Sequence, residues 1–441
     1  MIKINNDFLK HVEVTEFSYE GYGVVRIEGY PILVSNAYLH EIIDIKIIKY
    51  FSKYAFGKVV FRYSCSLKRN KNFVKDNLLI DNSKLIFLDY DEQLKFKQKI
   101  VNELFSRELR FNKVKNIVSS DNIIGYRNKI ILHVQFSKKT LLIGEFQENT
   151  HTIVEQENYI LANNALNNLI KYTTKVLKDN LELLDETNIK SIIFRNSILN
   201  NEQQICFISE SNNSKNIKKP LLDKIFLKFP NCKISQNIGN KKIVYSDRDW
   251  INFNFDNINY PLSPETFFQI NENQALKIFK IIETKISNNK SKTNLIDAYS
   301  GLGVIGITLS KYVNNVLCVE SNKKAVENGN ELILKNNLNN VRFYNLDCTE
   351  FFEKNKEINI DTIVFDPPRD GLTPNIVNVV ISNKINNIIY LSCNPRTLVR
   401  DLKIFNVSNN YEIEYVQPFD MFPQTPHIET LVFLKLKSNF N

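Results

Sequence analysis

Residues 386–402, NNIIYLSCNPRTLVRDL, place a cysteine where an apolar run meets an Asn-Pro turn. Ile388, Ile389, Tyr390 and Leu391 have the continuous apolarity of a buried strand, and Pro395 is suited to open a helix. Cys393 then stands at the carboxyl end of a strand, where open α/β sheets bind their ligands. A free cysteine is ordinarily a small core hydrophobe, so chemistry requires further groups. Three other stretches supply candidates. DAYSGLGVIGITLS (297–310) carries Gly301, Gly303 and Gly306 as a GxGxxG between strand and helix, with Glu320 ending the next strand. FDPPRDG (365–371) puts Asp366 at the end of a later strand, followed by two prolines that fix the turn and remove two backbone donors. MFPQTPHIETLVFL (421–434) offers His427 and Glu429 at the mouth of the last strand.

A glycine turn of this kind lets the backbone approach a ligand at a helix N-terminus, and it serves nucleotide, nicotinamide and S-adenosylmethionine sites alike. A carboxylate in the place of Glu320 accepts ribose hydroxyls in both dinucleotide and adenosylmethionine folds. Asp297, at the first strand's end before the glycines, favours adenosylmethionine. So does the Asp-Pro-Pro turn, which suits a methyl donor beside a flat base and has no evident use in hydride transfer. One reaction of this class needs the thiol. C5 of uracil is a poor nucleophile until a thiolate adds at C6 and turns the ring into an enolate. After methyl transfer a base must remove the C5 proton so that the thiol can leave. Cys393 meets the first requirement, and His427 and Glu429 are the candidates for the second.

The elements that must position these residues follow from the pattern. From 294 onwards strands alternate with helices: NLIDAYS, a helix from about 303, NVLCVES, a helix over 322–337, VRFYNLD, a short helix, DTIVFDPP, a helix over 373–383, NIIYLSC and the Pro395 helix. This order predicts a parallel, doubly wound sheet, with YEIEYVQPFDMF and ETLVFLKLK closing it as a hairpin. Residues 1–62 alternate in short strands (HVEVTEFS, GVVRIEG, YPILVS, IIDIKIIKYF) with turn signals such as YEGYG, the texture of a small oligonucleotide-binding-type barrel. A basic connector, SLKRNKNFVKDN (66–77), leads to a helix over 91–109, and 121–260 mixes strands with a few helices as a central α+β region.

With 441 residues, 43% hydrophobic content and 11% aromatics, the chain supports several cores. The net charge of +9 is compatible with a polyanionic partner, although the Ile, Asn and Lys richness has the look of an AT-rich genome. Six scattered cysteines without a CxxC give neither a disulfide framework nor a paired zinc half-site. The N-terminal residues lack the apolar run of a signal peptide and no stretch reaches the length of a membrane span, so a reduced cytoplasm is the expected compartment.

Taken together, SCNPRTLVRDL, DPPRDGL, DAYSGLG, SPETFFQIN (263–271) and FPQTPHIET (422–430) resemble the bacterial RNA uracil-5-methyltransferases, which modify 23S rRNA uridines and tRNA uridine 54. EFSYEGYGVVRIEGYPILV (16–34) resembles that family's N-terminal TRAM domain, an RNA-binding β-barrel, and YRNKI (126–130) a segment of its central domain. The resemblance implies a multidomain α/β protein: a TRAM barrel over 1–62, a central α+β RNA-binding region over 63–260, and a class I, Rossmann-like, S-adenosylmethionine-dependent methyltransferase domain over 261–441. It implies Cys393 as nucleophile and Glu429 as proton acceptor, with Gln269, Tyr299, Glu320 and Asp366 contacting S-adenosylmethionine. The presence of a TRAM domain points to 23S rRNA as partner, with tRNA as the alternative. Arg127, Lys129 and the 68–75 run are candidate phosphate contacts.

Two departures stand out. Ser300 replaces the cysteine usual in the glycine loop. Many relatives also hold an iron–sulfur cluster with three cysteines after the TRAM domain and a fourth in the central domain. Here Cys65 has no cysteine neighbours and THTIVEQENYIL (150–161) has none where the fourth would fall, so no iron–sulfur cluster is predicted. A nicotinamide-dependent oxidoreductase, a non-catalytic RNA-binding factor and an amine methyltransferase are the competing classes. No membrane partner is expected, and the oligomeric state is left open with a monomer as the expectation.

Overall fold

The computed structural model describes residues 7–73, 83–137, 140–147, 150–197, 200–288, 294–355, 358–407 and 410–437, so positions 74–77 of the basic connector lie outside the described residues. The chain forms two compact units. One takes Met1–Ile100, Phe146–Val154 and Phe422–His427; the other takes Val101–Glu145, Glu155–Met421 and Ile428–Asn441.

The first unit holds a six-stranded, barrel-like sheet in the order Phe8–Glu13, Ile42–Tyr50, Ala55–Arg62, Tyr30–Ser35, Gly23–Ile27, Glu16–Phe17. Alternation of apolar and polar residues along Tyr30–Ser35 and Ile42–Tyr50 turns Ile32, Val34, Ile43, Ile45 and Ile47 into one core with Val14, Val25 and Ala55. The sixth strand, AFGKVVFR, was not separated from its neighbours by the sequence pattern. Its Gly57 and the exposed Val60 and Phe61 blur the alternation. Arg69 of the connector is buried, and its guanidinium donates to the Glu41 carboxylate and to Asn36 O. Within the same unit Gln93 Nε2 donates to Gln424 Oε1 at 2.8 Å and Gln93 Oε1 accepts from Gln424 N at 3.0 Å, while Lys97 Nζ donates to Phe422 O at 3.1 Å.

Among its described residues the second unit contains two larger sheets and the two-stranded ribbon Ile251–Phe255 with Ile258–Leu262. A mixed sheet runs in the order Lys241–Val244, Lys233–Ile238, Glu202–Ser209, Ile189–Ser197, Lys129–Phe136, Leu141–Phe146, and Asn164–Lys178 and Lys219–Lys228 pack on it through Leu166, Leu169, Ile170, Leu221 and Ile225. The other sheet holds the strands β1 (Asn294–Ala298), β2 (Asn315–Val319), β3 (Val341–Tyr344), β4 (Thr362–Phe365), β5 (Asn387–Ser392), β6 (Tyr411–Phe419) and β7 (Glu429–Leu436) in the order β3-β2-β1-β4-β5-β7-β6.

Strands β1 to β5 are parallel, and β7 enters antiparallel between β5 and β6. Their inner residues are buried on both faces, as a parallel sheet covered by helices requires. The helices fall where the periodicity predicts, at Lys323–Lys335, Pro374–Ser382 and Pro395–Val407, and the glycine-loop helix is short, Val304–Leu309. Asn322 and Thr373 cap two of these helices through their side-chain oxygens, and Asp347 caps the short helix Cys348–Lys354 in the same way. Among the described residues no helix is long and apolar enough to cross a membrane.

Candidate active site

Strand register gathers the candidate residues at one edge. Ala298 pairs with Val319 on one side and Phe365 on the other, and Phe365 pairs with Tyr390. The residues just beyond these pairs, Tyr299, Glu320 and Asp366, therefore leave the sheet together at its carboxyl end. On the far side Ser392 is the partner of Thr430, so Cys393 and Glu429 are the next residues of two neighbouring strands. An antiparallel β7 is what allows this: its first residue, not its last, meets the carboxyl ends of β4 and β5.

The turn after β1 is built for close approach. Tyr299 (φ 61°), Gly301 (φ 56°) and Gly303 (φ 74°) all lie in the left-handed region. A Cβ on Gly303 would stand 2.5 Å from Phe343 Cζ, whereas one on Gly301 would meet nothing within 4 Å. The space above Gly301 is thus open to a ligand. Glu320 is oriented by two backbone donors, Gly301 N at 2.9 Å on Oε2 and Asn322 N at 2.7 Å on Oε1. Asp297 accepts from Gly306 N at 2.8 Å and anchors the start of the helix. Burial, aided by the charges of Asp366 and Glu320, pushes the Asp297 carboxyl up to about 7. Ser300, in place of the usual cysteine, donates its N–H to Val319 O at 3.2 Å.

At the other end of the edge the electrostatics are those of a crowded acid–thiol site. Burial pushes the Cys393 thiol up to about 12, with Glu429 adding to the rise and Arg369 opposing it. Burial likewise pushes Asp366 up to about 7. Glu429 is 2% exposed, its Oε1 has no hydrogen-bond partner, and burial together with Asp366 holds it well above the usual carboxylate range. A buried carboxylate with an unfilled acceptor is costly unless something docks against it. His427, the other base candidate, has its ring 6.1 Å from that of Phe422.

Gln269 comes from outside this sheet, on the buried segment before the helix Glu272–Ser287. Asn128 of YRNKI holds that segment. Its N–H donates to Ile270 O at 3.1 Å, and its Nδ2 donates to Gln269 O at 3.3 Å and to Glu272 Oε1 at 2.7 Å. Arg195, 2% exposed, donates to Ser263 O and Thr266 O. Asn271 Nδ2 reaches Met421 O at 3.1 Å, which ties the Gln269 segment to the end of β6. Arg195 was missed in the sequence, although an arginine inside the apolar run SIIFRNS was the signal.

Two of the candidate phosphate contacts serve the fold instead. Lys129 Nζ donates to Pro264 O at 2.7 Å, and burial with the nearby Arg195 lowers it to about 7. Arg69 of the 68–75 run is spent on Glu41, because a buried carboxylate must be paired. Among the described residues there is no group of three or more His, Cys, Asp or Glu placed to hold a metal ion.

Comparison with known proteins agrees with this geometry. The family model "tRNA (Uracil-5-)-methyltransferase" matches residues 89–437, and the TRAM domain model matches 10–60. An uncharacterized RNA methyltransferase of Fusobacterium nucleatum is 30% identical over 99% of this chain and 98% of its own length. One from Bacillus cereus is 29% identical over 98% of this chain and 97% of its own. Among solved structures, the Pyrococcus abyssi tRNA (uracil-54, C5)-methyltransferase in complex with S-adenosyl-L-homocysteine superposes with a TM-score of 0.76 at 25% identity, covering 96% of this chain and 99% of that one. The open glycine turn, the oriented Glu320 and the acidic strand ends fit S-adenosylmethionine, the donor that this fold uses. The chain, an S-adenosylmethionine-dependent RNA methyltransferase with a TRAM domain, belongs to the tRNA (uracil-5-)-methyltransferase family.

Proposed function

We propose that this protein methylates C5 of a specific RNA uridine through a covalent adduct between Cys393 and C6 of the base. The observation that carries the reading is the adjacency of Cys393 and Glu429 at the ends of two neighbouring strands, beside Asp366. Bound S-adenosylmethionine supplies an electrophilic methyl group. Gln269, Tyr299, Glu320 and Asp366 hold it, Glu320 by taking the ribose hydroxyls.

The Cys393 thiolate adds to C6, and the electron pair of the C5=C6 bond moves to C5 and the adjoining carbonyl. Once C5 carries the methyl group, Glu429 accepts the C5 proton. The C–H pair re-forms C5=C6 and the sulfur leaves as thiolate. Burial makes the ionised form of Glu429 a stronger base, and it is in that form that it accepts the C5 proton. Arg369 favours the thiolate form of Cys393.

We assign RNA contacts to residues 1–62 and 63–260 and the chemistry to 261–441, with 23S rRNA as the target. A reactive free thiol suits a reducing compartment, and the cytoplasm is our placement. A tRNA uridine is the second reading, favoured by the likeness to the P. abyssi enzyme. The 96% coverage leaves too few unmatched residues to omit the TRAM segment, so possession of this domain does not by itself separate the two targets.

The test has two parts. RNA carrying 5-fluorouridine should trap a covalent complex with the wild-type protein and S-adenosylmethionine, because fluorine at C5 cannot leave as a proton; Cys393→Ala should form none. Persistence of the adduct in that variant would refute the assignment of the nucleophile. Mapping 5-methyluridine in rRNA and tRNA from cells with and without the gene then names the target.

A further inference from the structure

The loop that follows Asp366 has few means of holding its own shape. Pro367 and Pro368 lack N–H donors, Gly371 sits at φ 74°, and its N–H closes the turn on Pro368 O at 2.9 Å. Four further backbone groups of the loop, Arg369 O, Asp370 O, Leu372 O and Leu372 N, are met by side chains from the segment that begins directly after Cys393. Asn394 Nδ2 donates to Arg369 O at 3.2 Å, and the Thr397 hydroxyl lies 3.1 Å from both Arg369 O and Asn394 O, sharing its one proton between them. Arg400 Nη2 donates to Asp370 O at 2.7 Å and to Leu372 O at 3.0 Å.

Asp401, 0% exposed, closes the arrangement. Its Oδ2 accepts from Leu372 N and from Tyr390 OH, each at 2.8 Å, while Oδ1 accepts from Arg400 Nε at 2.8 Å. A Cβ on Gly371 would stand 2.5 Å from Asp401 Oδ2 and 2.9 Å from Arg400 Nη2, so the loop backbone lies flush against this pair. Asn394 has a double duty, since its Oδ1 also accepts from Arg396 N at 3.1 Å at the start of the helix.

We propose that Thr397, Arg400 and Asp401 are positioning residues that latch the Asp366–Leu372 loop to the helix following Cys393, so that nucleophile, Arg369 and Asp366 move as one rigid piece. The inference rests on the assignment of Cys393 as nucleophile made above. It gives a reason for the RTLVRD sequence after the cysteine that donor binding does not supply. Thr397, Arg400 and Asp401 stand at i, i+3 and i+4 of the helix Pro395–Val407, the spacing of one helix face, and Asn394 directly precedes that helix. Hydrogen bonds with a charged partner are the stronger kind and have stricter geometry, so they suit a latch better than apolar packing would.

Alkylation of Cys393 by iodoacetamide, read by peptide mass spectrometry without RNA or cofactor, tests the latch apart from the methylation reaction. Thr397→Val removes the donor to Arg369 O, and Thr397→Ser keeps it. Thr397→Val is expected to slow Cys393 alkylation at pH 8 and to lower kcat by about tenfold with little change in KM for RNA, because a small displacement at a reacting centre has large effects. Thr397→Ser should restore both, with the melting temperatures of all three proteins alike. Asp401→Asn should act in the same direction and more strongly; if it does not fold, the Thr397 pair decides alone. Equal alkylation and kcat in Thr397→Val and wild type, or faster alkylation in the variant, would overturn the proposal. If alkylation responds as expected while Cys393→Ala still forms the fluorouridine adduct, the nucleophile assignment fails and the latch stands.

Discussion

The backbone N–H of Gly301 donates to Glu320 Oε2 at 2.9 Å, so the glycine turn and the carboxylate that ends β2 are one bonded unit. Asn322 N fixes the other oxygen at 2.7 Å. The carboxylate is therefore oriented before any ligand arrives, and it retains acceptor lone pairs for two ribose hydroxyls. Glu320→Ala is expected to weaken S-adenosylmethionine binding by about 2 kcal/mol or more, the size of hydrogen bonds to a charged group. Titration calorimetry measures it, and unchanged affinity would remove Glu320 from the donor site.

The same turn separates two glycines by what surrounds them. Gly301→Ala meets open space and suffers only the left-handed backbone, about 1–2 kcal/mol. Gly303→Ala adds a collision with Phe343, for a total of about 2–5 kcal/mol. Urea unfolding without cofactor should rank them in that order. Gly301→Ala should nonetheless lose donor affinity, because its Cβ occupies the approach.

Asp297 links this turn to pH. Its folded carboxyl titrates at about 7, above the ordinary aspartate value near 4. Between these values the folded protein binds the proton more tightly than the unfolded chain does. Stability from this group is thus complete below pH 4, declines as pH rises to 7 and is level above it. Asn in its place cannot ionise and can still accept from Gly306. The stability of Asp297→Asn relative to wild type should therefore rise between pH 4 and 7, by on the order of a few kcal/mol. Thermal unfolding across that range checks it, and a flat difference would show that the carboxyl is ionised throughout.

Arg369 acts on the thiol with the opposite sign to Glu429. Removing its charge raises the Cys393 pKa further and reduces the thiolate present at neutral pH. Arg369→Met is expected to slow Cys393 alkylation at pH 8 by roughly three- to tenfold, less than a buried cation would because Arg369 is exposed. An unaltered rate would mean that the guanidinium does not sense the sulfur.

Much of this site was legible from residue order alone. The alternation of β1 to β5 with helices is a local signal, since a strand covered on both faces must be apolar along its length. The positions of Cys393, Asp366 and Glu320 at strand ends followed from where those runs stop. The latch around Asp401 was not legible, because a charged residue in an amphipathic helix reads as solvent-facing until its partner is known. Arg195 and Lys129 were hidden for a related reason. Their partners are backbone carbonyls 68 and 135 residues away, and carbonyls leave no mark in a sequence.

Residue order by itself determined the doubly wound sheet, the glycine turn and the presence of a thiol and a carboxylate at strand ends, because periodicity and turn chemistry act over a few residues. Only the tertiary structure decided that β7 runs antiparallel between β5 and β6 and so delivers Glu429, 36 positions further along the chain, to the side of Cys393. Pairing register is set by the packing of whole strands, and that packing also decides which of the basic residues are left to meet RNA and which are consumed in holding the fold.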